Sequence, residues 1–143
     1  MPELTDGFEI AREITEAAKA VSDRMLADFA NLTKDEAREL EDLFWDLQSQ
    51  AARIRTLAVG ALLAEAETSI QAVSRETKRA RKAIKDIGKV RQAIAIGAAL
   101  LTVASAIATR NAAGLKPAFN TLKDLLKDPA KDVGRAIAKR VKG

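Results

Sequence analysis

The carboxylates come first, because they are the only groups here that invite a catalytic reading. Glu65 and Glu67 stand two residues apart, and Glu39, Glu41, Asp42 and Asp46 crowd one short stretch. Paired carboxylates serve acid–base work or a bridged metal site. Residues two apart on a helix point to different faces, however. Di-iron-type sites in helical bundles also need a His three residues from a Glu. The 143-residue chain has neither His nor Cys. The commonest general base, disulfides and thiolate metal sites are therefore excluded. Ser49, Ser69, Ser74 and Ser105 have no imidazole to activate them. No glycine-rich phosphate loop is present. The expectation is a protein that is not an enzyme, with no catalytic, metal-binding or cofactor-binding residues, and with the acidic run as the solvated side of a helix.

Charge is distributed unevenly. Residues 1–50 hold 13 acidic and 5 basic residues, whereas residues 75–91, RETKRARKAIKDIGKVR, hold 8 basic and 2 acidic. Residues 127–143 hold 6 basic and 2 acidic, Lys139 and Arg140 among them. Arg75, Lys78, Arg79, Lys82, Lys85 and Lys89 recur at helical spacing and form one basic stripe. One reading docks an acidic first part beside basic later helices, within a chain or between chains. The other is a phosphate-binding surface, which keeps a non-specific nucleic-acid binder as an alternative. No aromatic residue is interleaved for base stacking, and no helix-turn-helix or zinc-finger pattern appears.

Residues 93–109, AIAIGAALLTVASAIAT, carry no charge, although 31% of the chain is charged. A spanning helix needs about 20 predominantly apolar residues, so this stretch is at the short edge. Ile96, Leu100, Val103 and Ile107 share a stripe, Leu101 lies near it, and Gly97 beside it admits a closely packed helix. The stretch reads either as a buried helix wrapped by its neighbours or as a segment that meets lipid. Arg81, Lys82, Lys85, Lys89 and Arg91 before it, and Arg110 and Lys116 after it, would attract anionic headgroups. In layout, an apolar segment guarded by soluble helices resembles the helical pore-forming toxins, which implies insertion of residues 93–109. The likeness is one of arrangement, not of any residue motif.

The elements around these residues are helical. Aromatics are 3% of the chain, with seven Gly and three Pro, and Ala, Leu, Lys, Arg and Glu favour helix. Ile10, Ile14, Ala17, Val21, Met25 and Phe29 predict a first helix over 6–30. Thr33 and Glu36 form a capping box that opens a second helix over 34–86. Its near-heptad seam runs through Leu40, Leu43, Leu47, Ile54, Leu57 and Ala61, then, slightly out of phase, through Leu63, Ala66, Ile70, Val73, Thr77, Ala80, Ile84 and Ile87. If continuous from Thr33 to Lys85 it would span roughly 80 Å, with a bend allowed at Gly60 or Thr68. Thr68–Gln71 is a weaker capping-box match. A turn at Asp86–Gly88, a helix over 88–112 closed by Gly114, and helices over 117–127 and 129–141 follow. Trp45 and Phe44, beside the seam, are read as core.

The fold expected is all-α: an elongated helical bundle or coiled-coil-like hairpin of four to five helices in one domain, residues 1–143. The function expected is non-catalytic interaction or assembly, with self-association through the near-heptad seams or a helical protein partner. A membrane-active protein inserting residues 93–109 into an anionic membrane is the first alternative. The acidic, polar start, Met1 to Asp6, lacks the pattern of a secretory signal, so the expected location is cytoplasmic or membrane-associated.

Overall fold

The computed structural model describes residues 6–127; the helix expected at 129–141, with Lys139 and Arg140, lies outside them. Six α-helices follow in order: α1 (Gly7–Asp28), α2 (Lys34–Ile54), α3 (Gly60–Glu65), α4 (Ile70–Asp86), α5 (Val90–Ala108) and α6 (Ala112–Lys127). A 3-10 turn at Phe29–Asn31 joins α1 to α2, and no strand occurs among the described residues. The protein is an all-α helical bundle.

Helix α1 packs on α2 and α4, and α5 packs on α2, α4 and α6. The four corners are therefore α1, α2, α5 and α4 in cyclic order. Helices α2 and α4 occupy opposite corners, as do α1 and α5. Gly7 at the start of α1 meets Leu57 just past α2, and Arg24 near its end meets Ile84 near the end of α4. With α1 taken as rising, α2 falls, α4 rises, α5 falls and α6 rises. The connection from α2 to α4, carrying α3, crosses the lower end.

The apolar stripes expected from periodicity face inward, except that Phe29 at the end of the first and Ala61 in the second are exposed. Ile10, Ile14, Leu40, Leu47, Ile84 and Leu100 are at most 1% exposed and belong to one cluster. The near-heptad seam is packed inside the molecule's own core, where burial of such side chains contributes about 1.5–3 kcal/mol each.

The expected helix over 34–86 is in fact three helices. Its interruption is imposed from far away in the chain. The Asp6 carboxylate accepts hydrogen bonds from the Val59 and Gly60 amides at 2.6 and 2.9 Å. The Gly7 amide donates to the Leu57 carbonyl at 3.2 Å. Bonds to the start of α1 thus take up the Leu57 carbonyl and the Val59 and Gly60 amides, while the Leu57 amide turns back to the Ile54 carbonyl. Helix α3 ends in a Schellman motif: the Thr68 amide reaches the Leu63 carbonyl and the Glu67 amide the Ala64 carbonyl. Glu67 takes the left-handed conformation there, with φ 62°. Ser69, one residue past the expected position, caps α4 by accepting from the Ala72 amide. The rod is thereby folded back on itself.

The Thr33–Glu36 capping box is present, with both reciprocal bonds at 3.0 Å. Helix α5 ends earlier than expected, again in a Schellman motif, with Arg110 at φ 56°. Arg110, not Gly114, takes the left-handed role. Gly114 lies within α6, where its amide donates to the Asn111 side chain at 3.0 Å. That cap starts α6 at Ala112, ahead of the expected 117. Pro117 is accommodated inside the helix, where its missing amide forgoes one bond.

Candidate interaction surfaces

Three features stand out: the apolar helix α5, the basic face of α4 and the acidic face of α2. Helix α5 has 19 residues and a mean hydropathy of 1.7, long and apolar enough to cross a membrane by length and composition. Its neighbours cover 56% of that apolar window. Ile96, Gly97, Leu100, Val103 and Ile107 are buried, and Leu101 is half-buried. Gly97 permits the close approach of α2, since a Cβ there would come within 2.9 Å of Leu43 Cδ1. The side of α5 turned outward carries Ala98, Thr102 and Thr109, with Ala95, Leu101 and Ser105 half-exposed. Threonine hydroxyls on it satisfy themselves against the helix: Thr102 donates to the Ala98 carbonyl at 3.0 Å.

Helix α4 is amphipathic by necessity, because it lies between α1 and α6 at a corner. Val73, Thr77, Ala80 and Ile84 face in, while Arg75, Lys78, Arg79, Lys82 and Lys85 are exposed, with Lys89 just beyond its end. The structure thus places the expected stripe on one face. Arg79 is held at Glu76 and also donates to the Leu126 carbonyl at 3.1 Å. Two further arginines meet acids: Arg81 lies 3.8 Å from the buried Glu13 of α1, and Arg91 pairs with Glu36 and Glu39 of α2. Arg75, Lys78, Lys82, Lys85 and Lys89 take part in none of the ion pairs among the described residues.

On α2 the outward side holds Asp35, Glu39, Glu41, Asp42 and Asp46, with Lys34 and Arg38 also exposed near its start. Trp45 stands among them, 61% exposed. It is not a core residue, as its neighbours had suggested: Leu43 and Leu47 fill the inner seam, and the 3.6-residue turn carries position 45 to the opposite side. Phe44 is half-buried and meets the Trp45 ring edge-on, with centroids 5.0 Å apart. Leu26 and Phe29, at the upper α1–α2 corner, are also largely exposed.

The carboxylates that stand two residues apart diverge. Glu65 is exposed, and Glu67 pairs with Lys116 of α6. That contact, first by hydrogen bonding and then by charge, holds the Glu67 carboxyl below its ordinary value.

Sequence inspection missed Arg24. Only 8% exposed, it points from α1 across the end of α4 and donates to the carbonyls of Ile84, Ile87 and Gly88 at 3.0, 2.6 and 3.3 Å. Asp28 accepts its Nε at 2.5 Å. The signal available was one arginine among the small and apolar residues of a helix's inner stripe. Comparison of the chain with protein-family models, with curated proteins and with solved structures finds no match.

Proposed function

We propose that the protein is a non-catalytic helical interaction protein that associates with copies of itself through its outer, charged faces. One observation carries the reading: the apolar seams are enclosed, while α2 and α4 present opposite charge at opposite corners. Charge so arranged favours association with a complementary surface and sets its orientation. The near-heptad seams are not the contact, because they fill the monomer's core. Light scattering from dilute to concentrated protein, at low and high salt, tests this. The expected result is a mass that rises with concentration and falls with salt. A constant monomer mass throughout would refute it.

A membrane-active role is the second reading, favoured by the length and hydropathy of α5. It requires α5 to leave α2, α4 and α6. Flotation with anionic liposomes tests it: binding that persists in high salt and is abolished by Leu100→Asp would support insertion. A nucleic-acid role for the α4 stripe would show as salt-sensitive binding of duplex DNA without sequence preference.

A further inference from the structure

We infer that the acidic face of α2, centred on Trp45, docks on the basic face of α4 in a second copy of this chain, so that copies join head to tail. The inference rests on the self-association reading and supplies its surfaces and symmetry. Glu41, Asp42 and Asp46 lie one turn or less from Trp45 on the same helix, and all are exposed. An exposed indole with carboxylates in the preceding turn and at the next position suits a cationic helix. The ring face attracts ammonium or guanidinium groups, and the carboxylates pair with them. Tryptophan is also the residue type most often found at the energetic centre of an interface.

Helix α4 supplies the matching surface. Arg75, Lys78, Lys82 and Lys85 succeed one another at steps of three or four residues, without an ion pair to any described residue. The helix has two acids: Glu76 is buried against Arg79, and Asp86 is its last residue. The two faces also match in level and direction. Arg91, two residues past Lys89, pairs with Glu36 and Glu39, so the upper end of the basic stripe stands level with the upper part of α2. Helix α2 falls where α4 rises, so copies set side by side bring the two together antiparallel.

The symmetry follows from the corners. Because α2 and α4 are diagonal, the two faces point away from each other and cannot meet within one molecule. One two-fold contact cannot engage both at once. The contact is therefore between unlike surfaces, and each joined pair keeps one of each free at its two ends, which gives an open chain or a ring.

Two double variants test this, with circular dichroism to confirm that each folds: Trp45→Ala with Asp46→Ala, and Lys78→Ala with Lys82→Ala. All four side chains are exposed. Wild-type protein is expected to form a concentration-dependent series of species, weakened by salt as the screening length falls from about 10 Å at 0.1 M to about 3 Å at 1 M. Each variant alone is expected to remain monomeric. An equimolar mixture of the two should form a 1:1 complex and nothing larger, because each retains one intact face. If the wild type associates and both variants associate as strongly, the surface is wrong while self-association stands. If the variants are monomeric and stay so when mixed, the head-to-tail symmetry is wrong. A wild type that is monomeric at low salt overturns both the inference and the reading beneath it. If that monomer binds duplex DNA and the lysine variant does not, the α4 stripe is a polyanion site instead.

Discussion

The two ends of the bundle are closed by different means. At the upper end, one buried guanidinium gathers the carbonyls that end α4, with the ion pairs of Arg91 to Glu36 and Glu39 beside it. At the lower end, the work is divided among Asp6, Gly7, Glu67 and Arg110. Asp6 caps α3, Gly7 presses α1 against the chain leaving α2, and Glu67 reaches Lys116. Arg110 donates to the Ala58 carbonyl at 3.2 Å. An end held chiefly by one buried side chain fails as a unit. An end held by several loses strength by degrees, except where backbone meets backbone. That exception is Gly7.

Substitution at Gly7 should have the largest effect. A Cβ there would meet the Ile54 and Leu57 carbonyl oxygens at 2.3 and 2.6 Å, and backbone cannot rotate away as a side chain would. Gly7→Ala is expected to destabilise the fold by about 3 kcal/mol in urea titration. At the upper end, Arg24→Met keeps the bulk and removes the donors. Breaking a buried, hydrogen-bonded charge leaves its partners unsatisfied, and a loss of about 2–3 kcal/mol is expected. Hydrogen exchange should accelerate at the end of α4 and spare α3; uniform acceleration would show that the upper end is not a separate unit.

Asp6→Ala removes the side chain that caps the Val59 and Gly60 amides and should cost about 1 kcal/mol, a usual figure for a lost N-cap. An Arg24→Met, Asp6→Ala double variant should show additive losses, since distant sites act independently. The smallest effect is pH-dependent. Lys116 lowers the Glu67 carboxyl below its ordinary 4.5, so the charged form is favoured in the folded protein. Its contribution is present above the unfolded value and is lost as pH falls through the lower, folded value. The difference in melting temperature between wild type and Glu67→Gln should therefore shrink on acidification below about 4.5. A difference that widens in acid would contradict the pairing.

Local signals in the sequence were reliable where the partners lie close together. Thr33 and Glu36 are three residues apart, and both of their bonds form. The inward stripes followed from period alone, and with them the bundle. Gly60 and Thr68 mark where the rod can bend, but the break after Ile54 has no mark of its own, because Arg55 to Val59 are compatible with helix and the competing bonds come from Asp6 and Gly7, fifty or more residues earlier. The hydrophobic neighbours of Trp45 point to the core, whereas its position on the turn points to solvent. Propensity favours Gly114 over Arg110, since glycine adopts positive φ without penalty. The strain at Arg110 is offset by its two Schellman bonds and by its reach to Ala58. The basic face of α4 was legible as a period. Its diagonal relation to α2 was not, because that depends on the crossing of α3.

The cap that Asp6 places on α3 has a consequence for the order of events during synthesis. Its acceptor oxygens and the amides they bind all lie within the first 60 residues. Once that much chain has left the ribosome, α1 and α2 can pair as a hairpin and fix the end from which α3 departs. The entropic cost of closing so long a loop grows only slowly with its length. The faces of α1 and α2 on which α4 and α5 pack thus belong to residues that precede both helices in the chain.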